Sequence, residues 1–179
     1  DTEPAPEAQE PSELNWDEVT QMDVVSLEVG YRLIPLVDRN QGGELISRIT
    51  GVRKKLSKDL GFLVQPVHIR DNLELSPGSY RVQLLGDSVA QGEIQVGKEL
   101  AINPGGAQPG LTGMPTKDPA FGMDAIWIDP SQRDQAQTLG YTVVDPCTVV
   151  ATHLSQVVKQ HAHELLGHEE VQQLLDRLA

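Results

Sequence analysis

Only one cysteine, Cys147, occurs in the chain, so no disulfide can close within it, which fits a reducing compartment. No Lys, Arg or His stands within a few residues to stabilise a thiolate, and Cys147 reads as a small, semi-buried side chain. Aromatic residues are scarce at 4%, so the core has to be built from Leu, Val and Ile. No stretch approaches the ~20 apolar residues that span a bilayer, and no charged start followed by an apolar run marks a signal peptide; a soluble chain is expected. Basic side chains number 14 against 26 acidic ones, a net charge of −12. Without a basic stripe to release counterions, nucleic acid and anionic membrane surfaces are poor partners.

What is present is ordinary in amount and uneven in placement. Hydrophobic residues at 39% and charged residues at 22% of 179 suit one domain, or two small ones sharing a core. Residues 1–23 carry eight acidic side chains and no Lys or Arg, whereas the rest is nearly balanced, with 18 acidic against 14 basic. Pro4, Pro6 and Pro11 among Glu, Gln and Ala make the opening a linker that cannot bury enough apolar area to offset its ordering entropy. After it, Ser12 can cap a short helical segment through Leu14, Trp16 and Val19, and a tethered Trp needs a surface to cover it.

The clearest helix is Glu44–Leu60, where Leu45, Ile49, Val52, Leu56 and Leu60 recur at three- and four-residue steps and Gly61 is the stop signal. Before it, Leu27–Val37 reads as a strand kinked or placed at an edge by Gly30 and Pro35. After it come a strand at Phe62–Ile69 and a hairpin of Tyr80–Leu85 and Val89–Val96 about Gly86-Asp87-Ser88. Strands at Glu99–Ile102 and Ala125–Ile128 enclose a Gly- and Pro-rich loop, Asn103–Thr116. Asp129 caps a helix from Pro130 to Gly140, Tyr141–Val144 is a last short strand, and Asp145 caps a helix from Pro146 to about Leu166. Gly167 is expected to interrupt that helix. Val171, Leu174, Leu175 and Leu178 are left seeking a partner, and the end reads as a cut inside a larger protein.

Motifs for chemistry are weak. Gly92–Lys98 spells G-x-x-x-x-G-K, but Glu99 stands where Ser or Thr must hold Mg²⁺, and the segment lies in a hairpin strand. Gly42-Gly43 and Gly105-Gly106 are explained by turns. His153, His161, His163 and His168 with Glu164 invite a zinc reading, yet His163 and His168, five apart, lie about 140° off a common helix face, and a helical zinc motif needs its two His four apart. His161, Glu164 and His168 share a face, but Gly167 weakens the helix between them; solvation or packing between helices is the reading adopted. Asp118 with Asp124 or Asp129 lacks any supporting motif, and no Ser, His and acid arrangement with a nucleophile-elbow setting occurs. No metal, cofactor or catalysis is expected. What remains is Thr116–Ile128, which concentrates aromatics near a turn: Phe121 and Trp127 either plug the core or form an apolar dimple with a carboxylate rim, the anatomy of a peptide or helix docking site.

Four strings carry a resemblance: LEVGYRLIPLVD at Leu27–Asp38, VHIRDN at Val67–Asn72, DPAFGMDAIWI at Asp118–Ile128 and GYTVVDPCTVVATHL at Gly140–Leu154. With HAHELLGHEEVQQLLDRL at the end, they resemble the cytoplasmic region of the FlhA family, the large inner-membrane component of the flagellar export gate and of related virulence type III secretion systems. The resemblance runs from about Glu13 to the end. It implies an α/β (α+β) fold: a thioredoxin-like first subdomain, 24–96 with 146–166; an inserted second subdomain, 97–145; and the helical start of a third, 167–179, after an acidic linker with a short docking helix, 1–23. A fourth subdomain is missing. The family forms a nine-membered ring beneath the export channel, works with other export components and captures export chaperones with filament-type cargo. The positions matching its chaperone dimple are Asp118, Phe121 and Thr152, with Val144 a wall residue; those matching a linker segment that docks on the adjacent subunit are Glu13, Trp16 and Glu18. The transmembrane part would lie outside this chain. The DPAFG and ATHL strings favour the flagellar over the virulence branch. A purely structural ring-assembly module of a virulence gate is the alternative, while redox chemistry on a thioredoxin-like fold would need C-x-x-C, and Cys147 stands alone.

Overall fold

The structure, a computed structural model, describes residues 24–178, apart from the side chains of 168–170 and 172. The linker 1–23, with its capped segment and Glu13, Trp16 and Glu18, lies outside the described residues. Two four-stranded sheets are present, and the chain is α/β.

The first sheet has the order β2-β1-β3-β4, from β1 (Val25–Val29), β2 (Val67–Asp71), β3 (Ser79–Leu84) and β4 (Asp87–Glu93). β1 and β2 are parallel, as a helical crossover requires, and β3 and β4 are antiparallel neighbours. The crossover is α1 (Glu44–Leu60), with Gly61 in the left-handed conformation as its C-cap. Period-two alternation puts Val25, Leu27, Val29, Tyr80, Val82 and Leu84 on one face. There they form one core with Leu45, Ile49 and Leu56 of α1 and with Val149, Val150, Leu154, Val157 and Val158 of α3 (Pro146–Gln160). On the other face Glu28 accepts hydrogen bonds from Asn72 Nδ2 at 2.6 Å and Arg81 at 2.7 Å. Those bonds, the Asn72 one foremost, hold its carboxyl below the usual range.

The second sheet, β6-β7-β5-β8, is antiparallel throughout and is made of β5 (Glu99–Ile102), β6 (Met114–Lys117), β7 (Asp124–Ile128) and β8 (Thr142–Val144). Its alternation serves two cores. Leu100, Ile102, Ala125, Trp127 and Val144 join the main core, while Ala101, Ile128 and Val143 pack with Ala136 of α2 (Arg133–Thr138). A last helix, α4 (Ala162–Leu178), follows α3. No helix among the described residues is long and apolar enough to cross a membrane.

Several local expectations need correction. The strand expected over Leu27–Val37 stops at Val29; a 3₁₀ turn, Tyr31–Leu33, and a helical turn, Ile34–Val37, replace its second half. Gly30 donates to Ser79 O at 2.8 Å and Arg32 to Pro77 O at 3.0 Å, and Pro35 sits in the first helical turn, where its missing N–H costs nothing. The strand expected from Phe62 begins only at Val67, past Pro66, which has no N–H to give a ladder. The loop Asn103–Thr116 contains the start of β6, an edge strand that carries Pro115. The long helix breaks at His161, not at Gly167: the His161 ring reaches back to Val157 O at 2.9 Å, and its backbone leaves helical values. Gly167, by contrast, lies inside α4, where a glycine costs only about 1 kcal/mol relative to alanine. In the hairpin, Leu85 and Gly86 both have positive φ, giving the two-residue connection whose twist suits antiparallel strands.

Candidate functional site

Between β6 and β7 the chain makes a six-residue turn, 118–123. Asp118 begins it: Oδ2 accepts from Phe121 N at 2.9 Å, the carbonyl accepts from Gly122 N at 2.8 Å, and its own N–H donates to Met123 O at 2.7 Å. This is what an Asp before Pro does in a tight turn. Lys117 and Asp124 close the neck with an ion pair at 2.5 Å. The Asp118 side chain is spent inward, with the residue 4% exposed, so it is not the open carboxylate rim that the sequence suggests. Phe121, held at the tip, is 57% exposed, whereas Trp127 is 5% exposed and fills the core.

Phe121 ends a groove of about 260 Å³ that runs between α1 and α3. Each helix gives it a stripe at i, i+3, i+4 and i+7: Val52, Lys55, Leu56 and Asp59 from α1, and Thr152, Ser155, Gln156 and Lys159 from α3. The structure thus brings Phe121 and Thr152 to one surface and keeps Asp118 beneath it. Val144 does not line this groove; it pairs with Leu100 and packs half-buried against the main core. Val52, Leu56 and Phe121 are the apolar part of a mixed lining, and Lys55 and Lys159 stand on opposite walls with Asp59 as the one acidic side chain, a setting for an apolar side chain with polar and acidic neighbours.

The FHIPEP family profile matches residues 1–179. The chain belongs to the FHIPEP family. It is 52% identical over 167 residues to the flagellar biosynthesis protein FlhA of Proteus mirabilis, a match covering 93% of this chain and 24% of that protein. This FHIPEP chain therefore spans about a quarter of the length of the curated relatives that it matches. In fold it is similar to the Chlamydia pneumoniae CdsV protein, with a TM-score of 0.67 at 20% identity, covering 86% of this chain and 47% of the other. It is also similar to nonameric SctV-C of EPEC, with a TM-score of 0.53 at 14% identity, covering 86% and 44%.

Elsewhere in the FHIPEP chain the remaining motifs resolve into structure. Gly92 lies in edge strand β4, and Gly97 leads into β5, so the phosphate-loop spacing meets no helix N-terminus. Glu44, Asp145 and Cys147 bring ligand-type atoms within 4.8 Å of one another. Asp145, however, caps α3 by accepting from Thr148 N at 3.3 Å and from the Thr148 hydroxyl, and burial first, then the two carboxylates, pushes the Cys147 thiol up to about 12. Among the described residues the histidines do not assemble: His153 points into the core, His161 bonds its own helix, His163 is exposed.

Sequence reasoning missed the α1 wall of the groove, although the stripe at Val52, Lys55, Leu56 and Asp59 is readable once α1 is drawn. It also missed Tyr80 and His153. Burial is the main cause that holds the His153 imidazole below its ordinary 6.5. The unfolded chain therefore takes up this proton first as pH falls. The stability due to His153 is full above the ordinary histidine value and is lost as pH drops through the depressed one. Thermal melts should show the midpoint falling between roughly pH 7 and pH 5, ahead of the Glu28 carboxyl, and His153→Gln should flatten that part of the curve. An equal fall in His153→Gln would assign it to other groups.

Proposed function

We propose that this chain is a docking platform of a flagellar protein export gate, a binding module and not an enzyme, and that the groove ending at Phe121 receives export chaperones carrying filament-type cargo. The observation that carries this reading is the exposed Phe121, pinned by the buried Asp118 carboxylate at the end of a groove that also presents Val52 and Leu56. Few well-packed aromatic contacts commonly dominate such an interface. In this reading Phe121 and Thr152 meet the chaperone, Asp118 positions Phe121 from below, and Val144 supports the wall from the core. Residues 24–96 with 146–166 form the first subdomain, 97–145 the second, and 167–179 the start of a third. Glu13, Trp16 and Glu18 of the linker dock on the adjacent subunit. The nonameric state of SctV-C supports a ring of nine for the full-length protein, at the cytoplasmic side of the inner membrane with other export components as neighbours.

Calorimetric titration of the chain with a flagellar filament-type chaperone bound to its cargo tests this. Phe121→Ala should weaken binding by about 1–2 kcal/mol, roughly 5- to 30-fold, with an unchanged circular dichroism spectrum. An unaltered affinity removes Phe121 from the site. No binding by the parent chain favours the second reading, a ring-assembly module. The exposed Val171, Leu174 and Leu175 along α4 support that reading.

A further inference from the structure

β4 is an outer strand of the first sheet, and among the described residues no strand pairs with its free side. Two hydrogen bonds show which of its backbone groups point outward. Gly30 N donates to Ser79 O at 2.8 Å, so the odd-numbered residues that open β3 serve β1; Ile94 N donates to Gly78 O at 2.9 Å, so the even-numbered ones serve β4. Tyr80 and Gly92 are then the next pair to exchange bonds, and the N–H and C=O of Gln91 and Glu93 turn away from β3. Both residues are exposed. The bulge between Val82 and Gln83 bends the first half of the strand and leaves Ala90–Glu93 regular. Between the two outward residues stands Gly92, where a Cβ would lie 2.5 Å from the Tyr80 hydroxyl, itself 2.6 Å from Nδ1 of His153. A strand laid along β4 would therefore meet only the small Ala90 and Gly92 on the core side.

An open edge is commonly blunted by lysine, proline or a covering element; this one carries acids. Asp87 and Glu93 belong to β4, Glu74 stands on the loop beside its end, and among the described residues none of the three enters an ion pair. A cavity of about 500 Å³ opens there, lined among others by Glu74, Ser76, Gln91 and Glu93, and no described Lys, Arg or His lines it. Arg81, the register partner of Gln91, is held by Glu28 at 2.7 Å. Charge selects the occupant. A second β4 would set like charges side by side, and so would the acidic segment 1–23, whereas a cationic strand would not. We propose that the free edge of β4 takes up an extended polypeptide segment with basic side chains at alternate positions. Gln91 and Glu93 give it backbone hydrogen bonds, and the Glu74 and Glu93 carboxylates pair with its cations. The edge shares no residue with the groove that ends at Phe121, so this inference is independent of the docking reading above.

The test is amide hydrogen exchange of the chain with an end-capped peptide of alternating Lys and Val, beside one of alternating Glu and Val. At saturating Lys–Val peptide, exchange at the Gln91 and Glu93 amides should slow about tenfold, while Gly92, already bonded within the sheet, should change less than about twofold. Gln91→Pro removes one outward N–H and keeps the ladder to β3; it should weaken the Lys–Val peptide about tenfold in a fluorescence titration. Glu93→Lys should weaken that peptide about tenfold and let the Glu–Val peptide bind, and its result decides the matter if Gln91→Pro loses its circular dichroism spectrum. Phe121→Ala should bind the Lys–Val peptide as the parent does, which keeps this edge distinct from the chaperone groove. Absence of binding overturns the proposal, as does binding that leaves both amides unprotected or that the Glu–Val peptide matches. Protection of the same amides by rising protein concentration alone would make a second copy the occupant and overturn it too.

Discussion

Gly30→Ala is expected to lower the thermal midpoint of this chain by roughly 6–12 °C, about 3 kcal/mol. The backbone at Gly30 has φ −70° and ψ 167°, values open to any residue, so conformational freedom is not the issue. Space is. An added Cβ would stand inside contact distance of the Ser76 carbonyl oxygen and 2.7 Å from that of Pro77. Both obstacles are backbone, and neither can swing away as a side chain could. Moving them would break Gly30 N to Ser79 O and Arg32 N to Pro77 O, the two bonds that turn the chain out of β1. Gly51, in the middle of α1 with open space around it, is the internal comparison, and alanine there should cost nothing. Melts of the two variants side by side decide the matter; a Gly30→Ala midpoint within 2 °C or so of the parent would mean that the 72–78 loop gives way easily.

Leu154→Ala should cost about 3–4 kcal/mol, with a midpoint roughly 6–16 °C lower. Leu154 is 1% exposed and packs in the core that the first sheet shares with α1 and α3. Truncation removes its transfer free energy and leaves a void that two helices and a sheet cannot collapse around without shifting one another. Because Leu154 neighbours His153 and lies two residues from Thr152, the slackened helix should also loosen the groove wall. Denaturant unfolding of Leu154→Ala beside Leu63→Ala, where the side chain is 63% exposed, separates core from surface: the second should stay within about 0.5 kcal/mol. Equal losses would contradict the packing described.

How far the sequence could be read depended on whether a signal was local. The α1 stripe, the Gly61 stop and the Asp129 and Asp145 caps are written within one or two turns of chain, and each appears where the spacing puts it. The hairpin was legible for the same reason, although its turn is Leu85-Gly86, with Asp87 and Ser88 already in β4, which ends at Glu93. Leu27–Val37 misled because its β-formers continue past Gly30, while the contact that ends the strand comes from Ser76 and Pro77, more than forty residues on. At Met114 a proline hid an edge strand that needs no donor on one side. The site divides in the same way. Phe121 and Thr152 reach one groove, whereas the inward turn of Asp118 and the Tyr80–His153 bond depend on three elements whose meeting no spacing records.

The two-faced packing of the second sheet makes segment 97–145 a keystone and not an ornament. Excising it and joining β4 to α3 would take Leu100, Ala125 and Trp127 out of the main core, so the remainder should collapse instead of surviving as a smaller scaffold. Grafts or tags belong in the exposed stretch around Gly105 and Gly106 as insertions and not as substitutions, because nothing stands within 4 Å but the backbone there has φ of 109° and 93°, which side chains rarely adopt.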